Sequence, residues 1–557
     1  MVSKLVFSIV IILLITTSCA GEYELTFVHP NSAIGMTAIQ EKGDDEEIGR
    51  RYSLEYPVIV TESDFALSLT VSTTEPKVIV VLLNGNEVLA AHALYVPDDI
   101  ETVDFRIPLP QETRFDGFVV RGALPGRTIN LLSAGLVDSY SGVRFTGIPT
   151  VNSRMLVKSD GGNPHSTHTL SFPMLLLDVI PDNGVAYIQL TYTYSSDYEQ
   201  DVYESESQVT ITAARHDSEK QEVFSLTPRP GKRSIYLYEA LCGFLPNEIT
   251  VDSHDPSFKL DSLQIGSVPF FTAANEVFQP LPADMGAIIS YNKSLWRHPE
   301  YELFAWNLDT EILLIDTIDY EFQSLMFKRL AFFVEKLGTA GTILSNEALE
   351  GAHGWNAHDY QSIDLARFFN EAHRIGLRLN NEEELLLEIL KHNGIVQAQE
   401  GEIQPGVGGI LSISQASAPR LRRTFINHEG YHGVFFGNIE FRDRVFEIWQ
   451  QLSTLEQDFW RRFLAWKYYN SNDTYLVVNE FQSYLLQQRL DRVDAYFIGY
   501  AIPNMTAELP KYRNLFSRLI QEYPASFVNA AKEVDRAAYL SAGVHGEDLF
   551  CLKKVSE

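Results

Sequence analysis

The chain runs to 557 residues and carries 44 Lys and Arg against 73 Asp and Glu, a net charge of −29. Such an excess of negative charge repels phosphate backbones and argues against nucleic acid as a partner. The length calls for several domains, and three cysteines cannot build a disulfide scaffold.

The chain opens with Lys4, an apolar run over 5–15, and small residues around Cys19 at 16–21. This is the pattern of a secretory signal. The apolar run is shorter than the roughly 20 residues that span a bilayer, and no later segment approaches that length. The segment resembles a bacterial lipoprotein signal, although Thr16 stands where an aliphatic residue is usual. The resemblance implies removal of residues 1–18, lipidation of Cys19, and an exported chain anchored to a membrane of the cell envelope. Cys242 and Cys551 are the other thiols, and neither has the C-x-x-C spacing of a cysteine zinc site.

From 22 to 268 the chain is rich in Val, Ile, Thr, Ser and Tyr in short runs, as at 78–83 and 186–192. Turn pairs such as Asn84-Gly85, Pro125-Gly126, Asp160-Gly161 and Pro230-Gly231 separate the runs. The segment at 122–129 is similar to that at 242–249, so we expect two all-β sandwich modules, 22–150 and 151–280. Modules of this kind bind a glycan or serve as a spacer, and the fold alone does not choose between them.

From 283 to 557 the texture becomes mainly α, an α+β catalytic-type domain. A strand is expected at 312–316 and helices at 320–337 and 363–374. Trp355, His358 and Asp359 form a polar-aromatic cluster within 353–360 that reads as a surface loop or the lining of a cleft. Residues 408–415 read as a short strand, either an edge that pairs with a peptide or an ordinary buried strand. His428, Glu429, Gly430, Tyr431 and His432 then spell H-E-x-x-H. On a helix the two imidazoles lie one turn apart and can reach one metal ion with Glu429 beside it. Gly430 and Gly433 cost a helix about 1 kcal/mol each relative to Ala, which suits a place where backbone or substrate approaches closely. Apolar residues at three- and four-residue spacing predict one long amphipathic helix over 441–469, and 471–473 breaks it. The next helix, over 477–488, sets Glu480, Ser483, Tyr484 and Gln487 on one face.

A catalytic zinc needs a third protein ligand and an open position for water. Phe435 and Asn438 occupy the places where a metzincin has Gly and His, so a carboxylate must serve. Glu480 is the first candidate, and Glu440, Glu456 and Asp458 are its rivals. His428, Glu429 and His432 followed by Asn479-Glu480 resemble the gluzincin group of zinc metallopeptidases, similar in site design to thermolysin. That resemblance implies a zincin-like catalytic domain with one zinc per chain on His428, His432 and Glu480, and Glu429 as general base. Those enzymes carry an Asp four residues after the ligand Glu to orient the first His. Tyr484 stands there in this chain, which leaves Tyr484 or Gln487 for that work. Tyr496, Tyr500 and His545 are candidates to stabilise the transition state. The expected function is a cell-envelope zinc metallopeptidase acting on a protein or peptide. The alternative is a surface lipoprotein that binds carbohydrate or protein and carries a non-catalytic zincin-like domain.

Overall fold

The structure is a computed structural model. It describes residues 278–555 without interruption and, before them, 36–39, 49–60, 65–74, 77–96, 102–110, 113–122, 129–138, 144–146, 152–160, 163–171, 184–198, 209–215 and 219–269. The expected signal segment and Cys19 lie outside the described residues. Several β-sheets occupy the N-terminal half and helices dominate the C-terminal half.

The chain divides into two compact units. The first takes the chain up to 156 together with 168–179 and 260–265. In it, Met36–Ile39, Gly49–Val60, Thr113–Gly122, Lys77–Asn84 and Glu87–Tyr95 form an antiparallel sheet in that spatial order. Arg144–Thr146, Ile129–Asp138, Phe65–Thr73 and Thr102–Pro108 lie side by side in a second. Alternation decides which residues these strands bury: Leu67, Leu69 and Val71 on one, Val78, Val80 and Leu82 on another, all out of solvent. Gly85 takes φ +58° in the two-residue turn before Glu87, a conformation few side chains tolerate.

The second unit holds 157–167, 180–259 and 266–557. Composition predicts a β module ending near 280, yet these β residues fall into the same compact unit as the helices. The C-terminal strand shows the physical link. Leu552–Lys554 pairs antiparallel with Gln221–Leu226, which continues through Val209–Ala214 to Glu248–Ser253. Asp284 adds a clamp, its carboxylate accepting from the amides of Gly286, Ala287, Cys551 and Leu552. Cys242 and Cys551 are both buried and unpaired.

The helical half is built on a five-stranded sheet in the order Leu281–Ala283, Tyr301–Trp306, Ile312–Thr317, Gly409–Ser414, His358–Gln361. Every residue of the three central strands is buried, as their near-continuous apolar sequences require. Helices Tyr320–Val334, Ser362–Arg374 and Asn381–His392 pack on the sheet through a core that includes Leu303, Ile315, Phe327, Leu330, Phe368 and Leu386. Helix Pro419–Gly437 carries the H-E-x-x-H segment. A Cβ at Gly433 would lie 3.1 Å from Ile312 and 3.4 Å from Leu411, and one at Gly430 would lie 2.4 Å from Leu549. Both glycines therefore let this helix approach its own protein, the sheet in one case and the C-terminal segment in the other.

Two expectations are corrected, and the choice left open for 408–415 falls to the buried strand. Residues 441–469 are two helices, Ile439–Gln451 and Thr454–Trp466, because Ser453 and Glu456 close a capping box that starts the second one. Gly409–Ser414 is an inner strand, flanked in parallel by Ile312–Thr317 and antiparallel by His358–Gln361, so the sheet ends at the latter. The 353–360 cluster is therefore no simple loop: its last residues are that edge strand, which brings Asp359 close to His432 on helix Pro419–Gly437.

Candidate metal centre

Two helices bring the ligand atoms together. Pro419–Gly437 supplies His428 and His432 one turn apart, and Thr474–Leu486 supplies Glu480. Buried ties hold the pair in place. Ser483 Oγ donates to the backbone oxygen of His428 at 2.5 Å, and Gln482 donates to that of Tyr431 at 3.2 Å. Arg422 fixes helix Pro419–Gly437 to the sheet through two bonds of 2.8 Å to Asp316.

The ligand atoms of His428, His432 and Glu480 all lie within 4.8 Å of one another. His428 Nε2 stands 3.4 Å from Glu480 Oε2, and His432 Nε2 stands 3.8 Å from Oε1. Ligands about 2.1 Å from a tetrahedral zinc are roughly 3.4 Å apart, so the spacing fits. His432 Nε2 and Glu480 Oε2 are buried without a hydrogen-bond partner in the protein. Buried polar atoms are seldom left so, and a cation would satisfy them together. Burial pushes both imidazoles down to about 4, so both are neutral at pH 7 as ligation requires.

The orienting groups differ from the resembled pattern. His428 Nδ1 bonds Gln487 Oε1 at 3.1 Å, which leaves Nε2 as the ligand nitrogen, and the Tyr484 ring packs edge-on against His428 at 4.7 Å. Gln487 thus takes the place of the missing Asp. Asp359 Oδ2 faces His432 Nδ1 at 3.6 Å and accepts from Asn479 Nδ2 at 3.4 Å. Asp359, Glu429 and His432 form a second close trio, sharing His432 with the first. Burial, and then the charge of Glu429, pushes Asp359 well above the usual carboxylate range.

The centre is rich in carboxyls. Burial, and then the charges of Glu480 and Glu335, holds Glu429 well above the usual carboxylate range. Burial and Glu480 together lift Glu335 to about 8, and burial lifts Glu480 to about 7. Glu335 and Tyr469 have no signal in the sequence. A short pairing between Lys336 and Tyr469 delivers both, placing Tyr469 to donate to Glu480 and Glu335 to accept from Trp355 at 2.6 Å.

The rival ligands are engaged elsewhere. Glu456 accepts from the Ser453 amide at 2.7 Å and from Ser526 Oγ at 2.5 Å. Asp458 pairs with Arg462, and Glu440 is exposed in the first turn of its helix. Of the three transition-state candidates, Tyr496 bonds to Gln487, placing it behind His428, and Tyr500 is 52% exposed beside it. His545 is buried, with Nδ1 on Asp535 at 3.1 Å, and its backbone oxygen accepts from Tyr431. Among the described residues His545 is not one of the grouped ligands.

No family model matches the chain, and no curated protein matches it. Among solved structures, an allantoicase is 9% identical with a TM-score of 0.18, over 41% of this chain and 80% of that one. The mycobacterial arabinofuranosyltransferase AftD is 12% identical with a TM-score of 0.13, over 40% of this chain and 26% of that one. A glycoside hydrolase family 32 protein from Bifidobacterium adolescentis is 13% identical with a TM-score of 0.13, over 39% and 40%. Scores this low assign neither a fold nor an activity.

Proposed function

We propose that the protein is a zinc metallopeptidase with a zincin-like catalytic half. The observation that carries this reading is the convergence of His428, His432 and Glu480, with two of their ligand atoms buried and unpartnered, beside a carboxyl that is not a ligand. Zinc, when bound, polarises the scissile carbonyl and makes the attacking water acidic. Glu429 takes the proton from that water and hands it to the leaving amine. Gln487 keeps the His428 imidazole turned toward the metal position.

The proposed setting is the cell envelope. The basic start, apolar run and Cys19 support export and lipid anchoring, with the two sheets of the first unit as a sandwich module that spaces the enzyme from the membrane or holds a glycan.

The test is zinc content together with casein hydrolysis. One zinc per chain is expected in the wild type, lost with hydrolysis in His432→Ala and Glu480→Ala. Glu429→Gln keeps the zinc and loses hydrolysis. A wild type without zinc, or glycan or protein binding as the only activity, sinks the peptidase reading.

A further inference from the structure

Two cationic stripes face one cleft. On the active-site helix, Arg420, Arg423, Thr424 and Asn427 recur at three- and four-residue spacing, so they share a face that stops one residue short of His428. After the ligand helix, Arg489 and Arg492 continue into Tyr496 and Tyr500. Both stripes line a cleft of about 1080 Å³, and Gln487, the residue that holds His428, lines it too.

The charges of the wall run against those of the chain. The lining includes six cationic residues and three acidic ones, in a protein of net charge −29. Some of the cations are already engaged. Arg229 and Lys553 both reach Asp548, at 3.0 and 3.3 Å, and Arg489 reaches Asp491 at 3.1 Å. Arg420 and Arg492 are exposed, and among the described residues neither guanidinium has a carboxylate partner. Arg420 lies in the first turn of its helix, whose positive pole adds to the pull on an anion. His545 gives an independent sign. It is 5% exposed, with Nδ1 committed to Asp535, and its Nε2 is left without a protein partner at the wall of the same cleft.

We propose that this cleft binds an acidic stretch of a peptide, seating carboxylates on Arg420 and Arg492 as the chain runs past Gln487 toward the metal centre. That the ligand is a peptide rests on the peptidase reading; that it is anionic rests on the wall itself. Guanidinium groups pair with carboxylates through two parallel bonds, so paired arginines select such a stretch by geometry as well as charge.

Binding separates the two claims. The full-length Glu429→Gln protein, loaded with zinc, is titrated into a fluorescein-labelled Glu-rich peptide and into its Gln-for-Glu counterpart. The Glu peptide should bind at least about tenfold more tightly at low salt, with the advantage shrinking as salt screens the arginines. Arg420→Gln with Arg492→Gln should abolish the preference, and the two Lys substitutions should retain most of it. Unchanged zinc content and unfolding midpoint show that the variants fold. Equal binding of the two peptides, or a preference that survives the Gln pair, overturns the proposal. Displacement of the Glu peptide by a heparin oligosaccharide at lower concentration than by unlabelled peptide assigns the cleft to a polysaccharide and overturns it as well. A Glu preference that disappears in the Gln pair, from a wild type that hydrolyses no casein, upholds the anionic cleft and removes only the peptidase reading.

Discussion

Removing the metal should make stability fall as pH rises, and the structure sets the window. Burial places the folded-state pKa of Glu480 at about 7 and that of Glu335 at about 8, both above the ordinary value of 4.5. A folded state that holds its protons more tightly than the unfolded chain is favoured at low pH and loses that advantage as pH passes the folded value. The buried histidines act in another window. His428 and His432, pushed down from 6.5 to about 4, contribute stability that is present above 6.5 and is lost as pH falls toward 4. Between about pH 6.5 and pH 8 the carboxyls dominate, since each unfolded-state imidazole, half protonated at 6.5, opposes them by only about 0.4 kcal/mol. Integrating proton release over that interval gives about 1 kcal/mol for Glu480 and somewhat more for Glu335, roughly 2 kcal/mol together. Asp359 and Glu429, raised by the same burial, add in the same direction. Bound zinc keeps Glu480 ionised throughout and takes its share of the slope away. Urea unfolding of chelator-stripped and zinc-loaded protein, followed by tryptophan fluorescence, reads the difference, since Trp460 packs 4.9 Å from Phe481 on the ligand helix. Metal-free stability that stays level or climbs over this interval refutes the electrostatic account of the centre.

Three substitutions test other parts of the construction. Gln487→Leu removes the group that turns His428 and should weaken zinc binding about 10- to 100-fold in a competition with a chelating dye. Glu456→Ala breaks two buried hydrogen bonds at a helix start, so unfolding should become easier by about 1–3 kcal/mol with zinc content unchanged; loss of zinc would restore Glu456 as a ligand. Asp284→Ala strips an acceptor from four backbone amides and should cost about 2–4 kcal/mol in urea, with the C-terminal strand released first to a carboxypeptidase.

The legibility of this chain follows the range of the interactions. His428, Glu429 and His432 are spaced by the helix itself, so local sequence reveals them. Glu480 is 48 residues beyond His432, and it is legible because a polar stripe inside an apolar helix needs a partner. Gln487 was readable on that same stripe. Asp359 was not: one acid in a four-residue strand carries no period, and its role exists only because His358–Gln361 pairs with Gly409–Ser414. Glu335 and Tyr469 are delivered by one pairing between two chain reversals, which no pattern announces. The predicted helix over 441–469 failed for a related reason, since its apolar spacing continues unbroken across the capping box at Ser453. The β half is recognisable by texture, but its grouping with the helices rests on contacts distant in sequence, such as the pairing of Leu552–Lys554 with Gln221–Leu226.

The charges of the centre and the cleft bear on one another. Glu335, Asp359, Glu429 and Glu480 crowd the metal position, with Lys336 as the cation that offsets Glu335. On the peptidase reading, one divalent ion leaves such a pocket negative once Glu335, Asp359 and Glu429 are ionised, so above about pH 8 an acidic side chain beside the scissile bond meets repulsion at short range in a buried site, where screening is weak. The arginines of the cleft attract the same side chain further along. A substrate that satisfies both carries its acids at a distance from the bond that is cut, and the site discriminates by repelling the wrong register as well as by holding the right one. Mass-spectrometric cleavage profiles on a peptide library should therefore show Asp and Glu depleted next to the cut and enriched several residues away, with both trends fading at high salt for the exposed arginines first. Enrichment of acids next to the cut would mean that the buried carboxyls are neutralised in the working enzyme, and that the metal centre holds more positive charge than one zinc supplies.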